Sequence, residues 1–114
     1  MKNELNKLVD AIANDFDRWT MRCRERDQYD LDDNYYDQRS KEFREAIRVT
    51  EGRKYVKIMK DRSVWGFVVN TDDDKKFKRG DILMAASLNA PTRNAARGNI
   101  FEEYSINWTG PHYL

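Results

Sequence analysis

The sequence predicts an α+β fold, in which an N-terminal helical hairpin is followed by a small antiparallel β-barrel. Over the first part of the chain, apolar residues recur at steps of three and four, which is typical of one face of a helix. Later come short apolar or alternating runs, each bounded by glycine or polar turn residues. A few such strands can avoid open edges by curling into a barrel, and SH3-like, Sm-like and OB-like topologies all fit.

The length and charge of the chain limit its organisation. With 114 residues it forms a single domain, residues 1–114, with the hairpin over about 3–50 and the barrel over about 53–114. Aromatic residues make up 12% of the chain, which argues against disorder. The net charge of +1 permits a nucleic-acid partner but lacks the strongly basic character that would demand one.

Both helices are predicted from spacing and end signals. The first covers about residues 3–26, and its apolar stripe consists of Leu5, Leu8, Val9, Ile12, Phe16, Trp19 and Cys23. Asp33 suits the N-cap of a second helix that runs to about Val49, and Gly52 suits its left-handed C-cap. A short loop between two such helices predicts a hairpin.

Four strands are predicted in the second half, over residues 53–60, 64–69, 81–86 and 104–109. The last alternates most regularly, with Tyr104, Ile106 and Trp108 on one side and polar residues between them. The stretch from 88 to 99 is a long loop, and loops of this length in a compact domain usually carry function or pack locally.

Several motifs near the C-terminus coincide in order. They are Lys78-x-Gly80-Asp81-Ile82-Leu83, Ala90-Pro91-Thr92, Ala96-Arg97-Gly98-Asn99-Ile100-Phe101 and Trp108-Thr109-Gly110-Pro111-x-Tyr113-Leu114. Over about residues 75–114 the chain resembles small uncharacterised proteins of tailed bacteriophages. The resemblance implies a phage genome and the cytoplasm of an infected bacterium, with the virion as the alternative location.

The inventory for catalysis is thin. His112 is the single histidine, Cys23 the single cysteine, and the five glycines are isolated from one another. Residues 30–34 resemble the start of a calcium-binding loop. Tyr35 and Lys41, however, occupy the positions at which such a loop requires Gly and Glu. We therefore expect no enzyme, no catalytic residues, no metal and no cofactor.

The chain also lacks the features of a membrane or exported protein. No run approaches the roughly 20 apolar residues of a membrane span, and the N-terminus lacks an apolar signal region. One cysteine cannot form an internal disulfide, which fits a reducing compartment. We expect a cytoplasmic protein with no membrane partner.

Two basic loops are the candidate nucleic-acid site. Their residues are Lys75, Lys76, Lys78 and Arg79 in the first, and Arg93 and Arg97 in the second. Small barrels bind single strands through basic loops and aromatic stacking, for which Tyr55, Trp65, Phe67, Phe101 and Tyr104 are candidates. The alternative is that the aromatics form the core and the lysines aid solubility. The loops flank residues 81–86 from opposite ends, so they meet only if the long loop folds back. Its length allows that return and Pro91 and Gly98 supply turning points, so we expect the two loops to converge.

Two functions remain open at this level. The first is a non-enzymatic phage accessory protein that acts as a protein-interaction or self-assembly module, with a second copy or a host or phage protein as partner. The alternative is weak binding of single-stranded nucleic acid such as RNA by the basic loops.

Overall fold

The computed structural model describes residues 1–26 and 33–111, and it contains two antiparallel helices and two β-sheets. Helix α1 is Lys2–Arg26 and helix α2 is Asp33–Ala46. Neither combines the length and apolar character needed to cross a membrane. Residues 27–32, which include the first three residues of the calcium-like stretch 30–34, and the C-terminal residues 112–114, including His112, lie outside the described residues.

The larger sheet is antiparallel, with strand order β1-β2-β3-β4. Its strands are Ile47–Glu51 (β1), Tyr55–Lys60 (β2), Ser63–Val69 (β3) and Ile82–Leu83 (β4); Ile106–Asn107 (β5) and Gly110–Pro111 (β6) form a second, two-stranded sheet. These elements confirm the α+β class. Among the described strands β1 and β4 do not pair with each other, so a closed barrel is not found and remains a prediction.

One face of the larger sheet packs against α1, and we call it the helix face. Part of the predicted apolar stripe of α1 is buried there: Leu5, Leu8 and Ile12 belong to the same core cluster as Val56, Ile58, Val68 and Ile82. Val9, Trp19 and Cys23 of the same stripe are only partly buried. Near its middle, the helix is held by the backbone N–H of Trp108, which donates to Asp15 Oδ2 at 2.8 Å. Spacing at three and four residues thus places these apolar side chains on one face of the helix, against the sheet.

A β-bulge places the tryptophan of β3 in this core. Ile58 pairs with Gly66 and Met59 with Val64, so Trp65 is an extra residue on β3. Its side chain is only 1% exposed, and its indole Nε1 donates to the Asn107 carbonyl at 2.8 Å. The buried polar atom of the ring is therefore satisfied.

The opposite face of the sheet is covered by irregular chain, and we call it the loop face. Phe67, Val69 and Leu83 cluster there with Phe77, which comes from the connector between β3 and β4. Ala85 and Ala96, from the long loop after β4, pack against the same cluster. Phe77 is the apolar anchor of a connector that is otherwise polar.

The prediction of a second helix to about Val49 is wrong at its end. The helix stops at Ala46, and β1 follows directly and pairs with β2 along its whole length. Ile47 and Val49 are β-branched, and β-branched residues favour a pleated strand over a helix. Gly52 does not have a positive φ and lies in the β1–β2 turn, where its N–H donates to the Tyr55 carbonyl.

Two predicted strands are shorter than expected. The strand over 81–86 is reduced to Ile82–Leu83, followed by an isolated bridge between Ala85 and Pro91. The strand over 104–109 is reduced to Ile106–Asn107. Its alternation is confirmed, because Tyr104, Ile106 and Trp108 are partly buried against the core and the residues between them are exposed.

A buried polar pair joins the connector to the end of the long loop. Asn99 Nδ2 donates to Asp81 Oδ1 at 3.0 Å and to the Arg79 carbonyl at 2.9 Å. Gly80 lies beside this pair with φ 90°, and a Cβ there would meet the ring of Phe101 at 2.6 Å. The motifs around Gly80 and Asn99 therefore have a structural role in closing this part of the fold.

Candidate functional site

A concave pocket of about 450 Å³ lies where the β1–β2 turn, the β3–β4 connector and the long loop meet. Its lining residues are Arg53, Lys54, Thr71, Asp73, Asp74, Lys75 and Arg93. We call it the basic pocket, because four of these residues are cationic and two are acidic.

Backbone contacts fix the β1–β2 turn beside the connector. The N–H of Asn70, just after β3, donates to the Lys54 carbonyl at 2.8 Å. The side chain of the same asparagine donates from Nδ2 to the Gly52 carbonyl at 2.9 Å. Arg53 and Lys54 are therefore held next to the first residues of the connector.

The connector is folded by its own polar side chains. Asp74 Oδ1 accepts from the N–H groups of Lys76 at 2.8 Å and Phe77 at 3.0 Å, and Thr71 Oγ1 accepts from the N–H of Asp73 at 3.1 Å. Side chains that accept from the backbone two or three residues on are typical of tight turns. These turns position Lys75 at the pocket.

The Asp74–Arg93 ion pair joins the long loop to the connector. Arg93 Nη2 donates to both carboxylate oxygens, at 2.9 and 3.0 Å, and the Asp74 side chain is only 1% exposed. The guanidinium lies 5.0 Å from the centre of the Phe77 ring and also donates to the Tyr55 hydroxyl. The hydrogen bond from Arg93, together with the two backbone donors, holds the pKa of Asp74 well below its usual range.

The two loops predicted to converge do meet at Arg93. Lys76 Nζ donates to the Arg93 carbonyl, which adds a second contact to the ion pair. Arg97 points elsewhere: its Nη1 donates to the Ala95 carbonyl at 2.8 Å and to side chains of Thr92 and Asn94. Of the two arginines on the long loop, the described contacts bring only Arg93 to the connector.

Two other predicted site residues already have acidic partners. Lys78 Nζ lies 2.7 Å from Glu102 Oε1, and this hydrogen bond raises the pKa of Lys78. Arg79 makes a bidentate pair with Asp72, at 3.1 and 3.3 Å. These pairs reduce the positive charge that the first loop presents to a ligand.

Arg53 and Lys54 were missed by the sequence reasoning. The sequence feature that could have identified them is the turn Gly52-Arg53-Lys54, which lies between two alternating segments. The interpretation of Gly52 as a helix C-cap excluded a turn between two strands. Within residues 1–26 and 33–111, neither side chain has a carboxylate partner, and the same holds for Lys75. The pocket thus contains three cations that are open to an anion.

The expected stacking platforms are only partly accessible. Trp65 and Phe67 are 1% and 3% exposed, so the prediction that they are platforms is wrong, and both are core residues. Tyr55 and Tyr104 are partly buried, and Phe101 is exposed. A small sheet with few apolar residues uses its aromatics for burial first.

The acidic side chains of the described part of the chain are dispersed. No three side chains of the His, Cys, Asp or Glu types lie close enough together there to hold a metal ion. Asp72 and Asp74, which the sequence places in one acidic run, bind different arginines.

A comparison with known protein families gives a match over almost the whole chain. A family model described as a family of unknown function (DUF7717) matches residues 1–112. No curated protein and no solved structure matches the chain.

Proposed function

This chain belongs to the family of unknown function DUF7717, and we propose that it is a non-enzymatic module for protein interaction or self-assembly. The observation that supports this is the outer edge of β1. Strand β1 is the terminal strand of the sheet, and Arg48, Val49, Thr50 and Glu51 are all exposed.

The backbone of β1 offers hydrogen bonds to a further strand. Among the described residues, β1 makes backbone pairs with β2 alone. An edge of this kind is a template for another extended chain, and main-chain hydrogen bonds then supply affinity. Natural edges are often protected by proline or a bulge; β1 has neither, and only Arg48 and Glu51 oppose pairing by charge.

A second copy of the chain fits this edge without repulsion. Symmetric antiparallel pairing of two β1 strands has a two-fold axis normal to the sheet. Residues that lie opposite each other in the two copies then have their side chains on the same face of the sheet. An axis through Val49 would set Arg48 opposite Thr50 and Ile47 opposite Glu51. No like charges then face each other, and the side chain of Val49, 41% exposed, is covered by its own copy.

A closed barrel that included β1 and the proposed dimer would both use the outer edge of this strand. The barrel would use the backbone of β1 within one chain, whereas the dimer would use it between chains. The mass in solution separates the two, since only the dimer depends on concentration.

The test is light scattering across a wide range of protein concentration, with Val49→Lys as the disrupting variant. We expect a wild-type dimer and a monomeric Val49→Lys protein, because two lysines would face each other at the axis. The matched control is Leu88→Lys, which changes an exposed apolar residue, 55% exposed, away from the edge. A monomeric wild type, or equal behaviour of both variants, would contradict self-assembly through β1.

The setting of the module is part of the proposal. The resemblance of residues 75–114 to tailed-phage proteins supports an accessory role in the cytoplasm of an infected bacterium, with a host or phage protein as the other possible partner. Pull-down from infected and uninfected cells with wild type and Val49→Lys tests this: a partner present only on infection and lost in the variant supports it.

A second candidate function, weak binding of single-stranded nucleic acid, is favoured by the basic pocket. Three of its cations, Arg53, Lys54 and Lys75, have no acidic partner among the residues that the structure describes, and they surround a concavity beside the partly buried ring of Tyr55. Phosphate contacts are strongest at low salt, so fluorescence anisotropy with a labelled oligonucleotide at low ionic strength is the test. Absence of binding under that condition would exclude this function.

A further inference from the structure

We infer that the basic pocket binds the backbone phosphates of single-stranded nucleic acid through Arg53, Lys54 and Lys75, whereas Lys78 and Arg79 contribute little. The inference rests on the second candidate function and specifies where its ligand binds. It divides the cations of this region by whether they are already paired.

Prior pairing determines how much a cation gains from a phosphate. Lys78 and Arg79 would have to give up contacts to Glu102 and Asp72, at 2.7 and 3.1 Å, before they could bind another anion. Lys75 has no such partner among the described residues, so its attraction to phosphate is offset only by its own hydration. Cations three residues apart in one connector should therefore differ in binding.

One of the three cations is oriented before a ligand arrives. Lys54 Nζ lies 5.5 Å from the centre of the Tyr55 ring, which orients it on the surface. Arg93 lines the pocket while its charge is neutralised by Asp74. Fixing a charged side chain in advance reduces the entropy lost on binding.

The concave shape favours a flexible single strand over a duplex. Arg53 and Lys54 come from the β1–β2 turn and Lys75 from the connector, and all three line the same concavity of about 450 Å³. A single strand can bend its backbone into such a depression and stack bases on nearby aromatic rings. A rigid duplex presents its phosphates on a convex surface and cannot follow it.

One lining residue opposes binding. The carboxylate of Asp73 belongs to the pocket and has no cationic partner among the described residues, unlike that of Asp74. Its negative charge would repel a phosphate at close range. Removing that charge should therefore strengthen binding, an effect that a loss of folding cannot imitate.

The test is a salt titration of anisotropy with a labelled oligothymidylate of about 15 nucleotides, within the range that small binding folds cover. The slope of log affinity against log salt is negative. We expect Lys75→Gln to reduce the magnitude of this slope by about 0.7, the value for one phosphate contact on a single strand. Lys78→Gln, which removes the same charge nearby, should leave the slope unchanged. Arg53→Gln with Lys54→Gln should reduce its magnitude by about 1.4.

Asp73→Asn completes the set, with an expected increase in affinity at low salt. Thermal unfolding of each variant verifies that the fold is retained. Equal effects of Lys75→Gln and Lys78→Gln would overturn the inference while leaving nucleic-acid binding in place. Duplex DNA bound as tightly as the single strand would overturn it too. No binding by wild type would remove both the inference and the second candidate function.

Discussion

The two faces of the sheet are covered by different means. On the helix face, α1 lays regularly spaced apolar residues such as Leu8 and Ile12, both fully buried, onto the strands. On the loop face, Phe77 anchors the mainly polar connector, Ala85 and Ala96 pack against the same cluster, and the Asp74–Arg93 ion pair joins the connector to the long loop. Apolar area stabilises the first cover, and specific polar geometry stabilises the second.

The two faces also shift the pKa of a cationic side chain in opposite directions. Lys60, beside the helix face, donates to the Thr109 carbonyl at 2.8 Å and lies 5.1 Å from the Trp108 ring, with no carboxylate partner among the described residues. Burial lowers the pKa of Lys60. The pKa of Arg93 is raised, chiefly by its hydrogen bond to Asp74. The loop face therefore uses charge to hold its cover in place, whereas on the helix face burial disfavours the charged form of Lys60.

The largest expected effect is on the helix face. Ile12→Ala removes a fully buried side chain from the main core and should lower the free energy of unfolding by about 2–5 kcal/mol. Asn6→Ala, an exposed position on the same helix, should change it by less than about 0.5 kcal/mol. Urea unfolding followed by tryptophan fluorescence measures both. Similar changes in the free energy of unfolding for the two variants would contradict the conclusion that apolar packing stabilises this face.

The regular part of the fold could be predicted because its pattern repeats. The stripe from Leu5 to Phe16 and the alternation around Ile106 depend only on local periodicity, and both are confirmed. Strand β1 could not be predicted in the same way. Ile47 continues the apolar spacing of Phe43 and Ala46, which favours a longer helix, whereas the β-branched residues of 47–51 favour a strand. Pairing with β2 decides between these two local preferences.

An intermediate effect is expected on the loop face. Asp74→Asn removes the charge that Arg93 binds, although the amide oxygen can still accept from the N–H groups of Lys76 and Phe77. The long loop should then open locally, so amide hydrogen exchange should rise in residues 84–98, with a smaller loss of global stability than Ile12→Ala causes.

The stabilisation by Asp74 should also depend on pH. Because the folded pKa of Asp74 lies below its ordinary 3.8, its stabilisation is present above that pH and is lost only as the pH falls further.

Asp72→Asn is the control for that experiment. Its carboxylate pairs with Arg79 at an exposed position, where ion pairs contribute little. Exchange in residues 84–98 should stay at the wild-type level in Asp72→Asn. An equal rise in the two variants would show that the Asp74–Arg93 ion pair does not hold the long loop.

The candidate site was only partly predictable for a related reason. The sequence identifies which residues are basic, but not which carboxylate neutralises each one. Glu102 reaches Lys78 from 24 positions away, and Arg93 reaches Asp74 from 19 positions away. Arg53 and Lys54 became candidates only when the β1–β2 turn placed them beside the connector. Long-range pairing, rather than composition, determines which cations remain available.

The smallest expected effect concerns Lys60, and it contrasts the two treatments of a cation directly. Since burial lowers the folded pKa of Lys60 below its ordinary 10.5, the unfolded chain binds the proton more tightly, and this residue's contribution to stability rises as the pH approaches and passes 10.5. Lys60→Met lacks that contribution, so the free energy of unfolding of wild type minus that of the variant should increase with pH.

Lys78→Met is the matched control, for which the same difference should decrease with pH. The pKa of Lys78 is raised, so its stabilisation is complete below 10.5 and is lost as the pH rises through the folded value. Other alkaline titrations, such as that of Tyr104, occur in all three proteins and cancel in the differences. Urea unfolding of the three proteins from neutral pH to above 10.5 should therefore give two difference curves that diverge; two curves with the same sign would show that both lysines are treated alike.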